Sequence, residues 1–262
     1  MTPQIIATIG PASADKEILR GMIREGVSLA RFNFSWGTHA EHRQFIRDIR
    51  NIAGEEGVDI PILQDLSGPR VKSKGGHTFA AGTKAFTDKD RIDLAVALEC
   101  EIEYVAMSFV SSSQDIEELK SYLDSENIKA KIVAKIERQE ALEDLDRIIA
   151  VSDGVMVARG DLGAAVPVEE LPFVKKDILK KAIEANKPSI VATGLLTSMM
   201  DDKEPSRADV SDITSAVLDG ASALMLSNET AVGHYPVEAV ETMRKIIIKA
   251  SAHTELKSRS QF

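Results

Sequence analysis

The chain is short of cysteine, of positive charge and of long apolar runs. It has one cysteine, Cys100, among 262 residues, so it cannot form an internal disulfide or a cysteine-rich zinc site. A reducing, cytoplasmic setting is therefore expected. The formal net charge of −9 argues against a nucleic-acid-binding surface. No run approaches the roughly 18 consecutive apolar residues of a membrane span, and the first residues do not resemble a signal peptide.

The chain contains enough apolar residues to form a globular core. Hydrophobic residues make up 44% of the chain, which is too many for a disordered protein. Short apolar runs alternate with amphipathic segments, and such runs are typical of strands buried on both faces in a parallel sheet. The predicted strands are 5–9, 29–34, 62–65, 104–110, 131–136, 154–158, 189–193 and 223–226, and the predicted helices are 14–25, 39–55, 87–99, 113–123, 168–185, 206–218 and 236–250.

This alternation predicts an α/β fold, a single-domain (β/α)8 TIM barrel. The typical size of such a barrel, about 250 residues, is close to the length of the chain. A doubly wound open sheet is the alternative. The barrel is expected to occupy residues 1–253, with a short, exposed Gly- and Lys-rich connection that includes the loop 71–86. A polar tail is expected at 254–262.

Polar residues lie at or near the carboxyl end of every predicted strand. Because barrel enzymes carry their active sites at the carboxyl ends of the strands, these residues form the candidate site. Several pairs are two residues apart, as in Arg159/Asp161 and Ser227/Glu229, which within a strand would put both side chains on one face. The full set is Thr8, Arg31, Asn33, Ser35, Asp65, Ser108, Lys135, Glu137, Arg159, Gly160, Asp161, Thr193, Ser227 and Glu229.

The charges in this set predict a site for a divalent cation and an anion. Glu137 and Asp161 offer the oxygen ligands that Mg²⁺ or Mn²⁺ prefers. Lys135 beside them would stay charged or act as an acid toward an enolate, and Arg31 and Lys72 add positive charge for a phosphate. The alternative is an ion-pair network of Lys135, Glu137 and Asp161 that only ties two strands together.

At these residues the sequence resembles the pyruvate kinase family. The resemblance covers about residues 4–250, in the family's order. The runs that carry it are Ala7-Thr8-Ile9-Gly10-Pro11, Arg31-Phe32-Asn33-Phe34-Ser35-Trp36-Gly37, Asp65-Leu66-Ser67-Gly68-Pro69, Ser108-Phe109-Val110, Ala134-Lys135-Ile136-Glu137, Met156-Val157-Ala158-Arg159-Gly160-Asp161-Leu162-Gly163, and Leu218-Asp219-Gly220-Ala221 through Met225-Leu226-Ser227-Asn228-Glu229-Thr230-Ala231.

The resemblance implies transfer of a phosphoryl group from phosphoenolpyruvate to ADP, which yields pyruvate and ATP. It implies Mg²⁺ or Mn²⁺ on Glu137 and Asp161, and catalytic roles for Lys135, Arg31 and Thr193. The implied substrate-binding residues are Gly160, Asp161, Thr193, Arg31 and Lys72. The implied monovalent-cation region is Asn33, Ser35, Asp65, Leu66 and Arg70, and Ser108, Arg159, Ser227 and Glu229 are supporting residues.

The chain also departs from the family pattern. Members usually carry a lid domain after the third strand, where this chain has only residues 71–86, and a C-terminal domain after the barrel. We expect a bare catalytic barrel with weak activity, because phosphoryl transfer depends on positioning and exclusion of water. Arg70 stands where potassium-dependent members often have glutamate, which predicts that K⁺ is not required.

Two other functions stay open. The barrel could enolise or decarboxylate 2-oxoacids with its metal, as a lyase that needs no nucleotide. It could also be a catalytically silent barrel that binds phosphoenolpyruvate or serves as a scaffold. Metal-dependent exchange of pyruvate methyl protons without ADP would favour the first, and tight binding without turnover would favour the second. No nucleic-acid or membrane partner is expected, and the sequence leaves the oligomeric state and the nucleotide undetermined.

Overall fold

The structure, a computed structural model, describes residues 2–73, 76–78 and 83–259. Within these ranges, the side chains of residues 71–73, 76–78 and 254–259 lie outside the description. No helix in the described ranges is both long enough and apolar enough to cross a membrane.

Eight parallel strands close into a barrel, which confirms the predicted fold and excludes the open sheet. The barrel strands are β1 (Gln4–Thr8), β2 (Val27–Asn33), β3 (Ile62–Asp65), β6 (Tyr104–Met107), β7 (Lys131–Ile136), β8 (Gly154–Ala158), β9 (Ser189–Ala192) and β10 (Ala223–Leu226). Two short strands, β4 (Val71–Ser73) and β5 (Gly76–Thr78), pair antiparallel in the connection after β3. Strand β1 pairs with both β2 and β10, and this pairing closes the sheet.

The helices surround the barrel, and all seven predicted helices occur near their predicted bounds. The long helices are α1 (Lys16–Arg24), α2 (His39–Glu56), α3 (Asp88–Glu99), α4 (Ser113–Ser125), α8 (Leu171–Glu184), α9 (Arg207–Leu218) and α11 (Pro236–Arg259). Four short helices, α5 (Gln139–Glu143), α6 (Leu145–Val151), α7 (Arg159–Ala165) and α10 (Asn228–Ala231), lie in the connections that follow β7, β8 and β10. The sequence pattern did not identify them as helices, because so few turns carry little periodicity.

Helix ends carry the expected local chemistry. The Asp15 carboxylate accepts hydrogen bonds from the Glu17 and Ile18 N–H groups in the first turn of α1. Thr38 and Thr87 begin α2 and α3 with reciprocal capping hydrogen bonds. Gly57 ends α2 with a left-handed φ of 69°, a conformation that glycine adopts without strain.

Each strand has apolar side chains on both faces, because one face packs against the helices and the other fills the interior of the barrel. Outward-facing residues pack against the helices. Inward-facing residues fill the barrel with a layer made of Ile6, Leu29, Leu63, Ala106, Val133, Met156, Ile190, Ala192, Ala223 and Met225. Two residues further along five of the strands, and so on the same inner side, a second layer is polar. It consists of Thr8, Arg31, Asp65, Ser108 and Lys135, all buried.

Some boundaries differ from prediction. Strands β6 and β9 end earlier, because Phe109 and Thr193 have positive φ angles of 57° and 75°, which break the extended conformation. Near the C-terminus, α11 continues to Arg259 and so extends into the segment 254–262, which was expected to be a polar tail. Residues 260–262 lie outside the described residues.

Candidate active site

Asp65, at the end of β3, is the centre of the buried polar layer. Its side chain is 1% exposed. Arg31 donates from Nε and Nη2 to Asp65 Oδ2, at 2.9 and 2.6 Å. Lys135 Nζ donates to the other carboxylate oxygen at 3.0 Å. Arg31 also donates from Nη1 to Thr8 Oγ1 at 3.0 Å, so the guanidinium is fixed from two neighbouring strands.

Lys135 is held by oxygen atoms from three strands. Besides Asp65, its Nζ donates to Ser108 Oγ at 2.7 Å and lies 3.0 Å from Glu137 Oε1. Ser108 Oγ in turn donates to the Leu66 carbonyl at 2.7 Å. An ammonium has three donors, and each has an acceptor here. The charge of Lys135 is therefore fixed in one place at the mouth of the barrel.

Glu137 lies one residue beyond β7 and is buried. Its Oε2 accepts the Phe109 N–H at 2.7 Å. Burial raises the pKa of Glu137; the charge of Lys135 opposes this shift, and the nearby carboxylates of Asp161 and Asp65 add to it.

The neighbouring acid shifts in the opposite direction. Burial alone would raise the pKa of Asp65, but the charges of Lys135 and Arg31 outweigh burial and lower it to about 2. Asp65 is thus an anion shared by the two buried cations, whereas burial and the neighbouring acids disfavour the charged form of Glu137. A bound cation would favour that charged form.

Asp161 sits in the first turn of α7 and is more open, with its side chain 31% exposed. Arg70, in the segment after β3, donates from Nη2 to Asp161 Oδ2 at 2.8 Å. The Arg70 guanidinium also lies over the Phe109 ring, 5.1 Å from its centroid, and the Arg138 guanidinium lies 5.5 Å from the same centroid. Phe109 therefore supports a cationic rim beside the acids.

Gly160 and Thr193 meet across the ends of β8 and β9. A Cβ on Gly160 would lie only 3.0 Å from Thr193 Cγ2, so the glycine permits this close approach. Thr193 is exposed and has a left-handed backbone with φ 75°. The N–H groups of Gly160 and Asp161 belong to the first turn of α7, where helical N–H groups lack partners within the helix.

The prediction that Arg159/Asp161 and Ser227/Glu229 each share a strand face is wrong. Arg159 and Asp161 are in α7, which begins directly after β8, and Glu229 is in α10. Arg159 pairs with Asp212 and donates to the carbonyls of Ala192 and Thr193. It therefore anchors the end of β9 and is not paired with Asp161.

Glu229 serves a structural purpose at the end of β10. Its Oε1 accepts the Leu196 N–H at 3.1 Å and its Oε2 accepts the Ser227 N–H at 2.8 Å. The carboxylate is buried and joins two loop segments. Ser227 contributes its backbone N–H group, which donates to Glu229.

The residues expected to form a monovalent-cation region are only partly assembled around one point. Asn33 Oδ1 accepts the Ser35 N–H at 3.1 Å, and Ser67 Oγ lies 3.2 Å from Ser35 Oγ. The Leu66 carbonyl and the Asp65 carboxylate are engaged by Ser108 and the two buried cations. Arg70 is turned toward Asp161. Lys72 lies in β4, and its side chain is outside the described residues.

Several contributors had no clear sequence signal. Phe109 reads as part of an apolar strand, yet its backbone and ring contact Glu137 and Arg70. Asp90 accepts the Gly68 N–H at 3.1 Å and so ties the segment that carries Arg70 to the start of α3. The sequence also gives no signal for Asp212, which pairs with Arg159. The spacing of Thr87 and Asp90, three residues apart at the start of α3, is the capping-box pattern that could have identified Asp90.

The acids present suit Mg²⁺ better than a metal that needs a full set of protein ligands. Within the described residues, no group of three or more His, Cys, Asp or Glu side chains is placed to hold a metal ion. Mg²⁺ commonly uses one or two carboxylates and completes its shell with substrate oxygens and water. Glu137 and Asp161, which repel each other across the mouth of the barrel, offer this donor set.

The fold and the site together define a class: a (β/α)8 barrel with a lysine–carboxylate cluster at the carboxyl ends of its strands. Comparison of the sequence with known families finds a match to the family described as "Pyruvate kinase, barrel domain", over residues 2–84 and 79–240. The chain belongs to the pyruvate kinase family. The two matched pieces meet at residues 79–84, inside the short connection between β3 and α3.

Known relatives agree with this assignment. The chain is 34% identical to a pyruvate kinase of Clostridium perfringens, over 96% of this chain and 71% of the relative. It is 35% identical to pyruvate kinase 2 of Synechocystis, over 93% of this chain but 56% of the relative. That second alignment runs over 328 positions, more than the 262 residues here, so the relative carries residues inside the matched region that this chain lacks.

Proposed function

We propose that this chain transfers the phosphoryl group of phosphoenolpyruvate to ADP, with Mg²⁺ or Mn²⁺. The observation that carries the proposal is the placement of Lys135. It is buried among Asp65, Ser108 and Glu137, at the end of a barrel that belongs to the pyruvate kinase family.

The substrate would lie over the polar layer. Arg31 and Lys72 would bind the phosphate of phosphoenolpyruvate, since guanidinium and ammonium groups form charge-assisted hydrogen bonds with phosphate. The N–H groups of Gly160 and Asp161 and the hydroxyl of Thr193 would bind its carboxylate. Glu137 and Asp161 would hold the divalent cation, which when bound stabilises negative charge on enolate and phosphoryl oxygens.

Lys135 would stabilise the charge on the phosphoryl group during transfer. Its partners already hold the ammonium in place, so little reorganisation is needed when the reaction proceeds. Burial lowers the local dielectric constant, and a fixed positive charge there acts more strongly than it would in water. Arg31 would contribute in the same way, because Asp65 and Thr8 fix its orientation.

A proton must then reach the methylene carbon of the enolpyruvate that is left behind. Thr193 is exposed at the edge of the site, where its hydroxyl would order the water that delivers this proton.

The short connection between β3 and α3 would make the activity weak. Phosphoryl transfer depends on exact positioning and on the exclusion of water, and only residues 71–86 stand where the family resemblance implies a lid domain. K⁺ would not be required, because Arg70, Arg31 and Lys135 already place three positive charges at the mouth of the barrel.

The direct test is pyruvate formation from phosphoenolpyruvate, ADP and Mg²⁺, with the Lys135→Met variant alongside. Lys175→Met is the matched control, since Lys175 is also buried and ion-paired, but with Asp219, between α8 and α9. We expect the Lys135 variant to lose activity by orders of magnitude and the Lys175 variant to keep it, with folding of both checked by circular dichroism. Equal activities of the two variants would refute the role of Lys135.

A lyase-type function remains the second candidate, because the metal and enolate groups need neither a lid nor a nucleotide. Metal-dependent exchange of pyruvate methyl protons without ADP, combined with no product from phosphoenolpyruvate and ADP, would favour it. Tight binding of phosphoenolpyruvate with neither reaction would instead indicate a silent binding barrel.

A further inference from the structure

Arg70 differs from the other basic residues of the site in how it is held. Arg31 donates through Nε and both terminal nitrogens, and Lys135 has three oxygen partners. Among the described residues, Arg70 makes one side-chain hydrogen bond, to Asp161. Its Nε is buried and has no hydrogen-bond partner there.

The surroundings of Arg70 explain why it nevertheless stays in place. Its side chain is 13% exposed, and the face of the guanidinium rests on the Phe109 ring, which favours a cation. Gly68, two residues earlier, donates to the buried Asp90 carboxylate. The segment that carries Arg70 is thus anchored. The Phe109 ring and this anchored backbone hold the guanidinium beside Asp161, with which it forms a single hydrogen bond.

Asp161 is also one of the two acids suited to a divalent cation. The guanidinium lies 2.8 Å from Asp161 Oδ2, so a metal ion on this carboxylate would lie within a few ångströms of a like charge. A neighbouring charge at that range changes the proton affinity of a carboxylate by about 10- to 1000-fold. Metal affinity must respond in the same direction.

We infer that Arg70 is an internal counter-ion of Asp161 that competes with the divalent cation and lowers the metal affinity of the site. In the metal-free site Arg70 faces Asp161, just as Arg31 and Lys135 face Asp65. Metal binding must loosen the Arg70–Asp161 pair. The inference rests on the metal site of the proposed function.

The test is binding of Mn²⁺ alone to the substrate-free protein, measured from the electron paramagnetic resonance signal of free Mn²⁺. Arg70→Met removes the charge while keeping an unbranched side chain that can pack on Phe109. Arg70→Lys keeps the charge. We expect Arg70→Met to tighten Mn²⁺ binding by about tenfold or more, and Arg70→Lys to bind Mn²⁺ like the wild type.

Arg91→Met is the matched control. Arg91 has the same kind of surroundings at another place: its guanidinium lies over Phe86, 4.2 Å from the centroid, and pairs with Glu118 at 2.8 Å. Its loss should leave Mn²⁺ binding unchanged. Unchanged or weaker binding in Arg70→Met, or the same tightening in Arg70→Lys or Arg91→Met, would overturn the inference.

Glu137→Gln locates the bound ion. Added to Arg70→Met, it should abolish the gain in affinity, and a gain that survives would mean that Mn²⁺ binds elsewhere and would also overturn the inference. None of these measurements requires turnover. Tightening in Arg70→Met together with no product from phosphoenolpyruvate and ADP would therefore sustain the inference while the proposed function fails.

Discussion

Replacing Asp65 by asparagine should destabilise the protein far more than the same replacement of Asp161. The Asp65 carboxylate is 1% exposed and is the shared partner of Arg31 and Lys135, whose side chains are 9% and 4% exposed. Asparagine keeps the shape but removes the charge, so two buried cations lose their main counter-ion. Breaking a buried ion pair in this way costs about 3–5 kcal/mol.

Asp161→Asn removes one ion pair, with Arg70, from a side chain that is 31% exposed. Pairs that reach solvent are worth about 0–1 kcal/mol. The two variants should therefore differ by about 3 kcal/mol in the free energy of unfolding. For a chain of this size, that corresponds to roughly 6–12 °C in melting temperature.

Urea unfolding at pH 7, followed by circular dichroism, measures this difference. The dependence of unfolding free energy on urea concentration should stay the same in both variants, because the surface exposed on unfolding is unchanged. Equal losses of stability would refute the reasoning, since they would mean that Asp65 is not the counter-ion of a buried cluster.

Three further outcomes are expected. The pKa of Asp65 is about 2 in the folded protein, below its ordinary 3.8, so the unfolded chain binds more protons between these two pH values. Between pH 4 and pH 2, the unfolding free energy of the wild type should therefore fall by about 2 kcal/mol more than that of Asp65→Asn. The same fall in both proteins, measured by urea unfolding, would contradict this. Glu229→Gln should lower the free energy of unfolding by about 1–3 kcal/mol, because it weakens the charge-assisted hydrogen bonds from the Leu196 and Ser227 N–H groups. The KM for phosphoenolpyruvate should stay unchanged. A raised KM with no loss of stability would show that Glu229 acts directly in substrate binding. Exchange of Na⁺ for K⁺ at constant ionic strength should leave the rate of pyruvate formation unchanged, and a several-fold activation would disprove the expectation for Arg70.

The inner polar layer could be predicted because a strand has a period of two. Arg31, Asp65 and Lys135 each lie two residues beyond an apolar residue of the barrel interior, and alternation alone puts both on one side. The eight strands were predicted from short apolar runs, which are typical of strands buried on both faces of a parallel sheet. Their strict alternation with helices also indicated a closed barrel.

Other parts of the site depend on long-range geometry that no local pattern carries. The period of two failed at Asp161 and Glu229, because helices α7 and α10 begin directly after their strands. The Arg70–Asp161 pair joins residues 91 positions apart. Phe109 contributes through a positive φ and the face of its ring, which its apolar neighbours in the sequence do not reveal.

The proposed reaction is transfer of a phosphoryl group to ADP at the charged mouth of this barrel. Phosphorus NMR of the wild-type chain with phosphoenolpyruvate, ADP and Mg²⁺ tests it most directly, because it identifies the acceptor of the group. ATP should appear in the same amount as pyruvate. Unchanged phosphoenolpyruvate, or pyruvate accompanied by inorganic phosphate instead of ATP, would contradict it.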